Sequence, residues 1–331
     1  MRATAIGLLS GGLDSTLAIS AVLEQGIGVL ALNFVGPFCT CSPRSPGGCH
    51  LASEVARTLG VEIRVENKGM EYLRIVENPR FGHGRGLNPC IDCRIYMLRR
   101  AAALMEETSA SFVVTGEVLA QRPMSQHRRA LDLIERESGL VGRLLRPLSA
   151  HLLEPTIPER EGLVNREALL GIRGRSRAAQ LDLARKKSID VFGCPAGGCL
   201  LTDPIIARRM RDLFARCPDW GVRDAKLATI GRHLRLREDL KVVLGRNREE
   251  NERLEGLADG LPRVELRSGP GPTALLCGSF AHDNLATVAG LLLFFARKAR
   301  ASEAVLTHNG TTVVCPPGRP VTQDEVALWT I

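Results

Sequence analysis

Aromatic residues are scarce in this chain: Trp, Tyr and Phe make up 4% of 331 residues, with only two Trp and two Tyr. A nucleic-acid partner held mainly by base stacking is therefore disfavoured, and shape or phosphate contacts would have to dominate. Long apolar runs are missing too. LLLFF at 291 to 295 is far too short to span a bilayer, and the opening MRATAIGLLSGG meets glycines too soon for a secretory signal. The expectation is a cytoplasmic protein with no membrane partner. There is no GxxxxGK(S/T) segment, and the Gly-rich turn near the start does not fit GxGxxG, so neither a P-loop NTPase nor a dinucleotide-binding reading is supported. Internal repeats and low-complexity tracts are also absent.

Lys and Arg outnumber Asp and Glu by 44 to 36, a net charge of +8. This suits a polyanionic partner, as it would a solvated basic surface. Ten cysteines in a reducing compartment read as thiols, metal ligands or catalytic groups rather than a disulfide framework. Apolar runs ATAIGLL, GVLALNFV, VEIRV and SFVVTG alternate with helical-period STLAISAVLEQ, LASEVARTLG and IYMLRRAAALMEE, the rhythm of a parallel sheet covered by helices. A helical stretch from Arg166 to Lys187, then GCPAGGC and LTDPIIARRMRDLFARC, extend this α/β domain. The pattern breaks at PDWG. We place one domain at 1–218 and a smaller α/β domain at 222–331, built from HLRLREDLKVVLGRN, REENERLEGL, TALLCGS, HDNLATVAGLLLFFARKAR and TTVVC.

The stretch from Ser10 to Ser15, SGGLDS, lies where the first apolar strand gives way to a helix. A helix N-terminus offers N–H groups and partial positive charge, and Gly11 and Gly12 let backbone approach an anion closely, with Ser10 and Ser15 adding hydroxyls. Asp14 would repel a phosphate unless a cation lay between them, so it reads as a magnesium or helix-cap residue. The bland alternative is a Gly-rich turn capped by Asp14.

This segment resembles the pyrophosphate-binding motif of the PP-loop ATP pyrophosphatase superfamily, the adenine nucleotide α-hydrolase-like fold. Its members split ATP into AMP and pyrophosphate to adenylate a carbonyl oxygen. The resemblance implies ATP and Mg²⁺ as cofactors and places Asn33 and Phe34 near the adenosine. VVTGEVLAQRPMSQ at 113 to 126 and LLRPLSA at 144 to 150 are similar to segments of 4-thiouridine synthases, which implies that Gly116, Glu117, Gln121 and Gln126 lie in the active-site region. The ferredoxin-like extension and the rhodanese domain that those enzymes usually carry are not recognised here, which leaves the uridine position and the sulfur donor open.

NPCIDC sets Cys90 and Cys93 at a helix start, and GCPAGGC sets Cys199 in a glycine-rich turn, with Cys194 ranked second. A C-x-x-C pair on one turn can face one metal group, and a distant third cysteine leaves one position open. The segment is similar to that of PP-loop tRNA thiolases of the iron–sulfur-dependent kind. That implies a [4Fe-4S] cluster on Cys90, Cys93 and Cys199, with tRNA and a sulfur donor, sulfide or desulfurase-derived, as partners. A persulfide route with Cys90 and Cys199 as nucleophile and resolving thiol is the other mechanism; the cluster is preferred because a nucleophile pair does not need Cys93. Buried, unliganded thiols are the structural alternative. Cys39, Cys41 and Cys49, with His50, form a candidate Zn²⁺ site.

GHGRG at 82 to 86, Arg94, Arg99, Arg100 and RRMRDLFAR at 208 to 216 supply cations for phosphate contact or for a solvated face. GRN followed by an Asn-bearing helix weakly resembles the RNA-binding module of NFACT-type proteins; a dimerisation domain, and so a homodimer, is the alternative. The reading is a tRNA uridine thiolase whose catalytic residues are Asp14, Cys90 and Cys199. A PP-loop enzyme that amidates or sulfurates a small molecule, and a non-catalytic RNA-binding protein, are the alternatives.

Overall fold

The computed structural model describes residues 5–39, 50–193, 198–296, 303–316 and 318–331. The chain forms two compact units, Met1–Thr202 and Asp203–Ile331.

The first unit is an α/β domain. Its elements are β1 (Ala5–Leu8), α1 (Leu13–Leu23), β2 (Val29–Val35), α2 (His50–Leu59), β3 (Glu62–Asn67), α3 (Met70–Glu77), α4 (Cys90–Glu107), β4 (Phe112–Val114), α5 (Arg128–Glu137), β5 (Leu144–Leu145), α6 (Ile157–Arg160) and α7 (Ala178–Lys186). The sheet order is β3-β2-β1-β4-β5, and all four pairings are parallel. Successive residues of each strand feed opposite faces, as the period of two requires. Ala5, Val29, Ala31, Phe112 and Val114 join the core formed with α1, whereas Ile6, Leu8, Leu30, Leu32 and Val113 join the core formed with α4 and α5. From β1 the chain runs outward to β2 and β3 and returns to β4 on the other side of β1. The reversal opens a crevice at the C-terminal ends of β1 and β4, where ligands bind in open α/β sheets.

Between Arg166 and Lys187 only the second half is regular α-helix: a 3-10 turn at Arg166–Ala168 is separated from α7 by Gly171 and Gly174. Gly174 has φ of +89°, a backbone angle that no α-helix contains.

The second unit comprises α8 (Pro204–Arg216), α9 (Val222–Leu227), β6 (Arg232–Arg237), β7 (Leu240–Leu244), α10 (Arg248–Glu255), β8 (Arg263–Leu266), β9 (Ala274–Gly278), α11 (His282–Phe295), β10 (Ala304–His308), β11 (Thr311–Val314) and α12 (Gln323–Trp329). The sheet order is β11-β10-β8-β9-β7-β6, and its pairings are antiparallel. Val242 and Leu276 face the core with α11, and their chain neighbours Val243 and Leu275 face the core with α9 and α10. The apolar run at 291 to 295 thus ends α11, with Leu291 and Leu292 buried. α8 falls in this unit, so the compact division lies at Thr202/Asp203 rather than near Pro218. Its Arg209 donates to the carbonyls of Ala228 and Gly231 at 3.2 and 2.8 Å. No described helix is long and apolar enough to cross a membrane.

Candidate active site

The β1–α1 turn sits at the mouth of the sheet crevice. Gly11 has φ of +72°, a conformation costly for any residue with a Cβ, and its carbonyl accepts from Gly193 N–H at 2.8 Å. No side chain caps α1. Ser15 Oγ donates to the Gly12 carbonyl at 2.8 Å and lies 3.1 Å from Ser10 Oγ. The two hydroxyls therefore stand together beside a helix N-terminus whose first-turn N–H groups no side chain takes up.

Gly116, just after β4, presses onto that helix start. A Cβ there would lie 2.5 Å from Asp14 C and Ser15 N, a distance no side chain tolerates, so glycine is required for β4 to approach α1. Gln121 reaches from the same loop and donates to Asp14 Oδ2 at 2.6 Å, while Gln180 on α7, fully buried, donates to Gln121 Oε1 at 2.9 Å. Arg177 Nε lies 3.8 Å from Asp14 Oδ2. Asp14 Oδ1 is buried and has no hydrogen-bond partner. A carboxylate with one oxygen fixed and the other unpartnered is a ready cation ligand.

Ser10, Gly12, Asp14, Ser15, Gly116 and Arg177 line a cavity of about 640 Å³ together with Asn33, Phe34, Thr115 and Gln126, while Gln121 and Gln180 stand behind Asp14. Asn33 also holds the turn from behind, donating to the Leu9 carbonyl at 2.7 Å. Glu117 does not line the cavity. It is 1% exposed, accepts from Arg146 Nε at 3.1 Å and pairs with Arg94 Nε at 3.5 Å, so it anchors the two arginines. Burial and the Glu117 and Glu135 carboxylates act on Arg146 in opposite directions, and the carboxylates prevail, raising its pKa.

A second cavity of about 170 Å³ adjoins the first. Cys39, Lys68, Arg94, Met97, Arg122, Gly198 and Cys199 line both. Among the described residues its wall carries four thiols, Cys39, Cys90, Cys93 and Cys199, with Tyr72 and Ser125 and no carboxylate or imidazole. Cys90 and Cys93 share the first turn of α4, three residues apart and hence on one face. Asp92 between them accepts from the N–H groups of Arg80 and Phe81 at 3.1 and 3.0 Å, tying the preceding loop to the helix start. Lys68 Nζ donates to Cys93 Sγ at 3.4 Å and stands 4.5 Å from the centre of the Tyr72 ring. Burial pushes the Cys199 thiol up to about 12, with Cys93 and Cys39 adding to it against a Leu201 backbone bond and Lys68. Burial and Cys93 raise Cys90, opposed by Arg94 and Arg122. Burial and the neighbouring Arg94 lower Arg122.

The sequence-predicted residues Ser10, Gly12, Asp14, Ser15, Asn33, Phe34, Gly116 and Gln126 are thus brought together around one cavity, and Cys90, Cys93 and Cys199 around its neighbour. Cys39 is found with the latter three. Cys41, Cys49 and Cys194 lie outside the described residues, and the exposed His50 has Glu54 at 3.9 Å. Among the described residues no three His, Cys, Asp or Glu side chains are arranged to hold a single metal ion. Arg99 and Arg100 are engaged by Glu137 and Glu66. Lys68, Arg177 and Gln180 are site residues outside the quoted motifs, and Arg122 lies within the 113–126 segment without having been singled out there.

The arrangement is a glycine-rich turn at a helix N-terminus, set at the switch point of a parallel sheet and next to a thiol-lined chamber. Residues 1–151 match the family model described as thiamine biosynthesis protein (ThiI), and residues 231–329 match that described as NFACT protein RNA binding domain. Each match covers a separate part of the chain, the first within the parallel-sheet unit and the second within the antiparallel-sheet unit. No curated protein sequence matches it. Among solved structures it is similar to a 4-thiouridine synthetase in complex with RNA and bound ATP, at 20% identity over 65% of this chain and 51% of that one, with a TM-score of 0.37. It is also similar to NMN synthetase from Francisella tularensis (14%; 59% and 90%; TM-score 0.28) and to the C-terminal part of the fibronectin/fibrinogen-binding protein from Streptococcus suis (11%; 72% and 97%; TM-score 0.26). The chain spans about half the length of the 4-thiouridine synthetase chain, and scores this low transfer no residue's role.

Proposed function

We propose that this protein is an ATP-dependent tRNA thiolase that adenylates a uracil oxygen and replaces it with sulfur. The observation that carries the reading is the shared wall: a phosphate-type turn with an unpartnered Asp14 oxygen opens onto a chamber of four thiols through Cys39, Cys199, Lys68, Arg94 and Arg122.

In this reading the uracil oxygen attacks the α-phosphorus of ATP. The new O–P bond forms as the bond to pyrophosphate breaks, and the departing charge is met by the N-terminus of α1 and by Ser10 and Ser15. Asp14 would hold a Mg²⁺ ion, which when bound would supply further charge neutralisation. Gln121 and Gln180 fix the rotamer of Asp14, and Arg122 and Arg177 add positive charge at the same wall. Sulfur then attacks the activated carbon and AMP leaves, a far better leaving group than oxide.

Cys90, Cys93 and Cys199 would hold a [4Fe-4S] cluster. Among the described residues the donor set is all sulfur, free of carboxylate and imidazole, which suits iron–sulfur binding. When bound, the cluster would supply an iron with an open position for sulfide. Lys68, Arg94 and Arg122 offset the negative charge collected there. The NFACT-type unit would hold the tRNA.

Mass spectrometry of tRNA nucleosides from a strain lacking the gene is the test. Loss of one thionucleoside, restored by the wild-type gene, is expected; an unchanged thionucleoside profile in a strain with no redundant enzyme overturns the reading.

A further inference from the structure

Cys39 belongs by sequence with Cys41 and Cys49, but the fold gives it a different partner. After β2 the chain turns, Cys39 N–H donating to the Gly36 carbonyl at 3.2 Å. The turn lays Phe38 and Cys39 alongside Cys199 and Leu200. Leu200 N–H donates to the Phe38 carbonyl at 3.1 Å, and Cys39 and Cys199 face each other as an isolated antiparallel pair. The Leu200 N–H to Phe38 carbonyl bond flanks the pair, which makes Cys39 and Cys199 the narrow, non-hydrogen-bonded type of antiparallel pair. Such pairs bring their Cα atoms to about 4.5 Å with the side chains on one face. Disulfides span Cα separations of about 4.4–6.8 Å. Both residues line the wall common to the two cavities. No backbone pairing sets Cys90 or Cys93 opposite Cys199.

We propose that Cys39 is the thiol–disulfide exchange partner of Cys199: the two close reversibly across this strand pair, and closure takes Cys199 away from Cys90 and Cys93. With a low-molecular-weight disulfide RSSR as oxidant, one of the two thiolates attacks an RSSR sulfur, forming a mixed disulfide and releasing RS⁻. The other thiolate then attacks the protein sulfur of the mixed disulfide and expels the second RS⁻. Two protein thiols lose two electrons and two protons, RSSR is reduced to two thiols, and a dithiol reverses the reaction. The pairing stands on strand geometry alone. Its consequence, that iron loading waits on reduction, rests on the cluster reading above.

The experiment uses the full chain, purified without oxygen and free of iron, incubated with oxidised glutathione, alkylated and digested without reductant. Tandem mass spectrometry localises each link, because Cys41 shares the tryptic peptide of Cys39 and Cys194 shares that of Cys199. A Cys39–Cys199 link is expected as the dominant product. The oxidised wild type should lose uptake of ferrous iron and sulfide until dithiothreitol is added, whereas Cys39→Ser should take up iron after the same oxidation. A Cys199 link to Cys90 or Cys93, a Cys39 link to Cys41 or Cys49, or zinc held by Cys39 overturns the proposal. If the Cys39–Cys199 link forms but the reduced protein takes up no iron, the pairing stands and the cluster reading fails. If the reduced protein loads iron and the link never forms, the pairing fails and the cluster reading stands.

Discussion

The nucleotide cavity and the thiol cavity share a wall, yet they are built by opposite means. At the first, the anion cradle is backbone: two glycines, a helix N-terminus and Gly116 pressed against it, with Asp14 held by its own hydrogen-bonded chain. The second is lined mainly by side chains, its sulfurs drawn from the loop after β2, the start of α4 and the segment around Cys199. A backbone cradle survives most side-chain changes because its donors are peptide groups. A cluster held by three thiols loses its function with any one of them. The difference separates activation from sulfur delivery and gives each its own point of failure.

The largest effect is expected from Cys93→Ala. Thionucleoside formation should disappear and bound iron should be lost after anaerobic reconstitution, measured by nucleoside mass spectrometry and iron analysis. An iron-free, fully active protein would end the cluster reading. Asp14→Asn comes next, since it removes the charge that meets the cation. ATP-dependent pyrophosphate release should fall by about 100-fold, the scale of losing one charge-stabilising group, with iron content unchanged. Gln121→Leu leaves Asp14 Oδ2 without its donor at 2.6 Å. An unsatisfied buried acceptor costs about 1–3 kcal/mol, so pyrophosphate release should drop roughly tenfold or more and show a raised magnesium requirement. Smallest is Arg248→Ala on α10, whose side chain is 94% exposed. RNA affinity should fall only a few-fold, and the slope of log affinity against log salt should shrink by about 1; an unchanged slope would remove Arg248 from the RNA-facing surface.

The same contrast explains what could be read from the sequence. The nucleotide turn is contiguous and local, so SGGLDS displays its chemistry without any tertiary information. The alternation of apolar strands and helical periods likewise announces the parallel sheet. Lys68, Arg177 and Gln180 carry no such local signal. They reach the site only because the sheet order sets β3 and α7 around the crevice, which is a property of packing. Cys39 is the sharpest case: chain proximity groups it with Cys41 and Cys49, and strand pairing groups it with Cys199. The amphipathic α8 could have packed with either domain by its pattern, and the Arg209 bonds to Ala228 and Gly231 place it with the second.

Activation and delivery can be told apart in one reaction: purified Cys93→Ala, ATP, Mg²⁺, a sulfur source and unmodified tRNA, with pyrophosphate and thionucleoside quantified together. Pyrophosphate release is expected to stay within a few-fold of wild type while thionucleoside is undetectable. Thionucleoside formed at the wild-type rate, or pyrophosphate release abolished in a protein that remains folded, would contradict a division between activation and delivery.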